Sequence, residues 1–296
     1  MNKGFGRFAP SPSSDLHLGN LRTAVVAYLA AKTTDRGFLL RLEDLDERSR
    51  PQYAKSQLQD LAALGLRWSE PVVAQSGRQL AYRAALERLV SQGLVYECFC
   101  NRRDILQAPQ APHAPPGAYP GTCRGLSETE RQERHSLRPG AWRLRSAVPQ
   151  LTVEDQLFGS YTGQVDDFVL MRADGRAAYN LAVVVDDAAS RVTQLVRGQD
   201  LLASTPRQAH LADLLGYARP EYLHVPLVVN QRGQRLSKRD HALAGTELWQ
   251  TWGGAAGLVN GIGQSLGLLK PGETGDLHKL ATRFDVMRLP KEPWVV

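Results

Sequence analysis

Apolar and polar positions along the chain fall into two rhythms. Gly4 to Ala9 is short and partly apolar and predicts a strand. After it, "LRTAVVAYLAAKTTDRG" carries alanine and leucine at helical density and ends on Gly37, a C-cap. A second apolar run, "GFLLRLEDLDE", predicts a buried parallel strand ending in acids, and amphipathic helices follow over Gln52–Leu64 and Arg78–Gln92. From Cys98 to Cys123 the texture breaks, with many prolines and no helical period. "AWRLRSAV" and "DDFVLMRADGRAAYNLAVVVDDA" then carry strand character. "TQLVRGQDLLASTPRQAHLADLLGY" predicts a strand, a loop and a helix, with Thr205 as N-cap and Pro206 in the first turn. "EYLHVPLVVN" predicts a last strand, and the remainder is helical in texture. Strands alternating with helices on both sides of an irregular insertion predict an open parallel α/β sheet interrupted in its middle.

Between the first strand and the first helix lies "RFAPSPSSDLHLGN", Arg7 to Asn20. A loop in this place points backbone N–H groups at whatever sits above the helix, which is where phosphates bind. Prolines and serines are equally the ordinary furniture of a turn. A length of 296 residues points to two domains, or to one with a large insertion. No apolar run approaches the ~20 residues that cross a bilayer. Met1 leads into "NKGFGRFAPS" without an apolar signal core, so a cytoplasmic chain with no membrane partner is expected. Three cysteines, all between Cys98 and Cys123, argue against a disulfide framework. The net charge of +6 permits a nucleic-acid partner, and its distribution says more. Arginines outnumber acids between Phe99 and Arg145, and "RGQRLSKR", Arg232 to Arg239, contains no acid. Two basic patches fit a polyanion contacted at two places.

In their order, these stretches resemble the class I aminoacyl-tRNA synthetases in their glutamyl form. His17-Leu18-Gly19-Asn20 is similar to the HIGH signature, and "RLSKR", Arg235 to Arg239, to the KMSKS signature, with Lys238 at its second lysine. "RLEDLD", "YNLAVVVDD" and "VRGQDLLASTPRQ" stand between them as in that family, so the resemblance covers residues 4 to 240. It implies a Rossmann-type parallel sheet split over residues 1–97 and 186–230, and an inserted acceptor-type subdomain with a zinc site over 98–185. A KMSKS-like loop and a C-terminal helical region follow over 231–296.

The chemistry of that family explains the residue types. Adenylate formation joins an amino-acid carboxylate to the α-phosphate of ATP and expels pyrophosphate, so donors and cations must be in place where charge gathers. His17 and the N–H groups opening the next helix supply donors, and Gly19 lets the backbone approach the nucleotide. Asn20 completes the ATP-binding set, and Lys238 supplies charge that counts most in the transition state. His17 and Lys238 are therefore the candidate catalytic residues, with Mg²⁺ entering on ATP. Glutamate needs a cation for its side-chain carboxylate and an anion for its ammonium. Arg7 and Arg197 are the candidate cations, since a planar guanidinium holds a carboxylate by two hydrogen bonds. Glu43, at the end of an apolar strand, emerges at the edge where open α/β sheets hold ligands and takes the ammonium. By resemblance Phe8, Ala9, Pro10, Ser11 and Tyr179 complete the pocket. The ordinary alternative makes Glu43 and Arg41 a surface ion pair and Tyr179 a core residue.

Cys98, Cys100 and Cys123 offer three soft ligands where a closed zinc site wants four. His113 and His135 flank them without a standard spacing. The resemblance supplies Tyr119, in "YPGTC", as the fourth; without metal the three would be buried reduced thiols. Ser14 stands where the family has glycine, and Val183 where tRNA-charging members carry an asparagine facing the amino acid. After Arg239 only 57 residues remain, too few for helical bundles that grip an anticodon. Length, "PSPS", Val183 and the tyrosine-bearing cysteine pattern resemble the truncated branch of the family. Its members activate glutamate with ATP and Mg²⁺ without needing tRNA, then transfer it to queuosine at the wobble position of tRNA(Asp). The resemblance thus implies glutamate, ATP and the anticodon stem-loop of tRNA(Asp) as partners of a monomer carrying structural Zn²⁺. The alternatives are a minimal enzyme charging a tRNA 3′ end, or a catalytically silent RNA-binding paralogue. Intact Arg7, His17, Glu43, Arg197 and Lys238 speak against silence.

Overall fold

The computed structural model describes residues 3–107, 119–236 and 243–296. The chain opens as β1 (Phe5–Phe8), α1 (Leu18–Thr33), β2 (Gly37–Leu42), α2 (Pro51–Ala63), β3 (Ser69–Ala74) and α3 (Gln79–Ser91). Parallel pairing sets Arg7 opposite Leu39, and β3 continues the sheet on the far side of β2. The connection that follows holds β4 (Val95–Cys98), α4 (Arg102–Gln107), α5 (Glu128–Leu137), β5 (Ala141–Leu144), β6 (Gln150–Asp155), β7 (Gly159–Gln164) and β8 (Val169–Met171). Next come α6 (Tyr179–Ala189), β9 (Val192–Gly198), α7 (Thr205–Leu214), β10 (Glu221–Val225) and β11 (Val228–Val229). The remainder forms α8 (Gly245–Thr251), α9 (Gly254–Ser265), α10 (Leu277–Arg283) and β12 (Trp294–Val295).

The large sheet runs β3-β2-β1-β9-β10-β6-β7, parallel except for the β6–β7 hairpin at one edge. A smaller antiparallel sheet, β4-β5-β8, stands apart from it. Placing β9 directly beside β1 puts the interrupted halves of the sheet in register and makes β1/β9 the point where strand order reverses. Ligands of open α/β sheets sit above that point, outside the carboxyl ends of the strands.

Helix α1 explains how the ends of the chain come together. Ten of its 16 residues are buried, too many for a helix with one wet face. The sheet covers one side, and α9 and α10 cover the other through Leu258, Ile262, Leu277 and Leu280. The charged Arg22 is buried in this helix too, donating to Ser265 Oγ at 3.1 Å and to the Pro226 carbonyl at 2.7 Å.

Some elements differ from the sequence expectation. "YNLAVVVDDA" is the helix α6, not a strand. Its Leu181, Ala182, Val184 and Val185 bury against Tyr82 of α3 and Leu211 of α7, and burial on this scale overrides the strand preference of valine. Thr205 is the first helical residue, and Ser204 is the N-cap, without a side-chain cap bond. "EYLHVPLVVN" breaks at Pro226 into β10 and β11, because proline cannot donate to a ladder. The hairpin β6–β7 lies inside residues 98–185, yet it extends the large sheet by pairing with β10. The chain end is a strand, β12, whose Trp294 N–H donates to the Leu227 carbonyl at 2.9 Å. Among the described residues no helix is long and apolar enough to cross a membrane.

Candidate active site

The carboxyl ends of β1, β9 and β10 and the amino end of α1 open on a cavity of about 410 Å³. Its wall brings together Arg7, Phe8, Ala9, Pro10 and Ser11 with His17, Gly19 and Asn20. Glu43, Tyr179 and Arg197 line the same cavity. Lys238, on the KMSKS-like stretch, lies outside the described residues. The neighbouring Arg235 does line the cavity, where it forms an ion pair with Asp200.

His17 is built into the helix start. It is the N-cap of α1, with Nδ1 accepting from the Asn20 N–H at 3.3 Å while its own N–H donates to Asn20 Oδ1 at 3.3 Å. This is a capping box in which histidine replaces the usual hydroxyl. An accepting Nδ1 leaves Nε2 as the protonated nitrogen. The cap thus fixes a hydrogen-bond donor at the helix N-terminus, where backbone N–H groups already favour an anion. Gly19 is needed for a nearer reason than the nucleotide: a Cβ there would lie 3.0 Å from the His17 ring. Behind the loop, Gln57 of α2 donates to the carbonyls of Ser11 and Ser14 at 3.0 and 2.6 Å. The loop therefore closes with serine at position 14.

The charged wall divides into two parts. In the first, Asp187 of α6 accepts from Arg7 Nε and Nη2 at 3.2 and 3.3 Å and from Arg41 Nη1 at 2.6 Å. Arg41 also donates to Glu43 at 3.1 Å. Burial opposes the charge on Arg41, but Asp187, Glu43 and Asp186 outweigh it and hold its pKa above the usual range. Arg7, a candidate cation for the glutamate carboxylate, has a bidentate carboxylate partner in Asp187, so much of its charge is matched inside the protein.

Arg197 is different. It is buried at 4 % exposure, and every direct partner is neutral. Nε donates to His224 Nε2 at 3.1 Å, Nη1 to Gln208 Oε1 at 2.7 Å, and Nη2 to Thr205 Oγ1 at 2.8 Å. The Tyr179 hydroxyl lies 3.5 Å from Nη1. Among the described residues no carboxylate forms an ion pair with it. Burial pushes its pKa below the usual guanidinium value, with Asp187 countering only through space. A buried cation without an anion is costly to keep, and this one borders a cavity that can admit a negative ligand.

Sequence reasoning missed Asp187, Asp155, His224, Thr205 and Gln208. Asp187 carried one usable signal: two adjacent acids closing a wholly apolar run must find buried partners. Val183 is buried at 1 % exposure and lines a separate small cavity, not this one.

A second group of chemistry-bearing residues sits at the β4 end of the small sheet. The sulfurs of Cys98, Cys100 and Cys123 lie within 4.8 Å of one another, an arrangement that can hold a metal ion. The Tyr119 hydroxyl is 3.3 Å from Cys98 Sγ and 3.7 Å from Cys100 Sγ, and Cys100 and Cys123 sulfurs are 3.6 Å apart. Tetrahedral zinc, at ~2.3 Å from sulfur and ~2.0 Å from oxygen, spaces its donors about 3.5 to 3.8 Å apart. The four atoms therefore fit a zinc shell. Arg143 stacks over the Tyr119 ring at 3.7 Å, and the Cys123 N–H donates to the Tyr119 oxygen at 2.8 Å, while burial and the neighbouring Cys98 thiol push the phenol's pKa above its ordinary value. His135 bonds Glu97 instead, and His113 lies outside the described residues.

Residues 5–278 match the family model of tRNA synthetases class I (E and Q), catalytic domain. The Glutamyl-Q tRNA(Asp) synthetase of Nocardia farcinica is 54% identical over 294 residues, covering 99% of this chain and 93% of that protein. The chain belongs to this family. A second member, the Glutamyl-Q tRNA(Asp) synthetase of Cutibacterium acnes, is 47% identical over 93% of this chain and 78% of that protein. In fold the synthetase is similar to a glutamate tRNA ligase from Elizabethkingia meningosepticum, solved in complex with its amino acid. The TM-score is 0.84 at 24% identity, over 99% of this chain and 67% of that one. The glutamate-tRNA synthetase of Elizabethkingia anophelis gives 0.85 at 23% identity, over 100% and 68%. These two likenesses concern the fold: a class I synthetase α/β sheet with its inserted small sheet.

Proposed function

We propose that this chain joins glutamate to ATP, carried with Mg²⁺, to form glutamyl-adenylate, and then transfers the glutamyl group to queuosine at the wobble position of tRNA(Asp). The observation that carries the first half is Arg197, a buried cation with no ion-pair partner among the described residues, facing the same cavity as Glu43 and His17. In this reading Arg197, assisted by Arg7 and Tyr179, takes the side-chain carboxylate of glutamate, and Glu43 takes its ammonium. Phe8, Ala9, Pro10 and Ser11 form the floor of the glutamate site. An oxygen of the α-carboxylate attacks the α-phosphorus, and the bond to pyrophosphate breaks. His17 Nε2–H, the α1 N-terminus, Gly19 and Asn20 hold the phosphate oxygens, and Lys238 supplies charge to the leaving pyrophosphate. A queuosine hydroxyl then attacks the acyl carbon, and AMP leaves.

The acceptor follows from the relatives' names, and activation without tRNA from the resemblance. Cys98, Cys100, Cys123 and Tyr119 are proposed as a structural zinc site. When bound, zinc would tie the strand β4 to the chain around Tyr119–Cys123, bringing basic residues such as Arg145 onto one scaffold for the RNA backbone.

ATP–pyrophosphate exchange tests the first half: it should require glutamate, proceed without tRNA, and fall away with glutamine. The second half is tested by transferring labelled glutamate to tRNA with and without queuosine, then cutting the tRNA and mapping the labelled fragment. Label confined to the anticodon fragment of queuosine-bearing tRNA supports the proposal. Label at the 3′ end would make this a minimal charging enzyme, and exchange without label on any tRNA would refute the acceptor.

A further inference from the structure

Asp155 and His224 lie behind Arg197, outside the wall of the cavity, and both are buried. Asp155 ends β6, at the hairpin edge of the large sheet, and His224 lies on β10 beside it. Asp155 Oδ1 accepts from the N–H groups of Leu157 and Phe158 at 3.0 and 2.9 Å. Its Oδ2 accepts from the His224 N–H at 3.0 Å and lies 2.7 Å from His224 Nδ1. An ionised carboxylate only accepts, so Nδ1 must carry the proton. On the other side of the ring, Arg197 Nε only donates, so Nε2 must present its lone pair. One neutral tautomer satisfies Asp155 and Arg197, and it leaves the Thr205 hydroxyl, 3.2 Å from Nε2, able only to donate to the ring. A proton on Nε2 would face the Arg197 N–H, and a ring protonated on both nitrogens would set a second cation against the guanidinium.

The rest of the cradle obeys the same rule. Gln208 offers its oxygen to Arg197 because its Nε2 donates to Asn180 Oδ1 at 3.0 Å, which fixes the amide's orientation. Thr205 offers a hydroxyl oxygen. Each direct acceptor is neutral, and Asp155 reaches Arg197 only across the imidazole. An acid touching Arg197 would cancel its charge, as Asp187 does for Arg7. We infer that Asp155 and His224 are a positioning pair for the activation step: they aim Arg197 while leaving its charge unmatched, and so make the cavity select a carboxylate over an amide. This inference rests on the glutamate reading above. It places neither residue in contact with substrate; both act through Arg197.

A purely structural role, knitting β6 to β10, would move stability and would disturb glutamate and ATP alike. The test uses the full chain, pyrophosphate exchange, and nitrogen NMR of the histidine rings. In the unaltered protein His224 should show a proton on Nδ1 and none on Nε2. His224→Asn keeps a donor toward Asp155 but removes the acceptor for Arg197. It should raise KM for glutamate about 10- to 100-fold with KM for ATP nearly unchanged. His224→Gln, which can return an acceptor to Arg197, should recover most of the loss. Asp155→Asn should move the ring proton to Nε2, and its effect should not add to that of His224→Asn. An Nε2–H ring in the unaltered protein, or glutamate and ATP constants moving in step, would overturn the inference. If the variants do not fold, an Nε2–H ring in the unaltered protein still overturns the inference. Absence of any glutamate-dependent exchange in the unaltered protein would instead refute the glutamate reading, and NMR would still report the tautomer.

Discussion

Arg197→Met lowers kcat/KM for glutamate in pyrophosphate exchange by about thirtyfold to a few thousandfold, the expected loss when a desolvated charge pair loses one partner, ~2–5 kcal/mol. The change is read as a rise in KM for glutamate, while binding of ATP stays close to its original value. Discrimination against glutamine collapses with it, because a thioether has no preference between a carboxylate and an amide. Arg197→Lys falls between the two. Its single ammonium cannot engage His224, Gln208 and Thr205 at once as the guanidinium does. The sign of the stability change separates this residue from its neighbour. Methionine at 197 removes a buried, unmatched cation and is expected to leave the thermal midpoint unchanged or raise it. Asp187→Ala, in contrast, strips the anion from Arg7 and leaves Arg41 with only Glu43 and the more distant Asp186. Breaking a buried ion pair in this way costs about 3–5 kcal/mol. A scan that found Arg197→Met strongly destabilising, with glutamate and glutamine still discriminated, would remove Arg197 from the glutamate site.

The contrast follows from how the wall is built. Arg7, Arg41, Asp187 and Glu43 form a connected ionic set, joined by Asp186 through Arg41, whose members hold each other in place. Arg197 is held instead by hydrogen bonds that do not neutralise it. The first set gives rigidity, and the second keeps a charge in reserve for the ligand. Binding sites are commonly less stable than the scaffold around them because a site adapted to a ligand is unsatisfied without it.

How much of this was legible in the sequence depended on the range of each interaction. The loop from Arg7 to Asn20 was readable because its signals are local: a strand, turn residues, then a helix whose cap lies three residues from its partner. The parallel sheet followed from the alternation of elements. Val183 to Val185 misled, since a run of β-branched residues reads as a strand until the partners that bury it, Tyr82 and Leu211, are known. Thr205 looked like a helix cap because serine, threonine and proline mark helix starts, but its hydroxyl serves Arg197. The pairing of Arg7 with Asp187 spans 180 positions and leaves no local trace. The same holds for Asp155 and His224, 69 positions apart. What the sequence carried was the inventory of the cavity; which of its charges are matched and which are open is decided by tertiary contacts.

Zinc tests the remaining part of the molecule. The protein purified without chelator is expected to hold one equivalent, and removal should unfold the small sheet around β4 before it affects the cavity. Cys98, Cys100, Tyr119 and Cys123 all belong to one small core with Tyr96 and Phe99, whereas the cavity is formed by β1, β9, β10 and α1. Glutamate-dependent exchange should therefore persist in the zinc-free protein while transfer to tRNA falls steeply. Tyr119→Phe isolates the phenolic ligand, since it keeps the ring beneath Arg143 and removes only the oxygen. Structural zinc contributes ~10–16 kcal/mol over its full ligand set. One ligand of four is then worth about 3 kcal/mol, or roughly a hundredfold in affinity. Competition with a calibrated chelator measures that ratio directly. Cys98→Ser and Cys123→Ser should weaken zinc further, because thiolate is the stronger donor. Equal zinc affinity for Tyr119→Phe and the unaltered protein would exclude the phenol from the shell. The tyrosine would then be a buried hydrogen-bond partner of Cys98 and Cys123, and the metal would be held by three thiolates and a ligand from outside the described residues or from solvent.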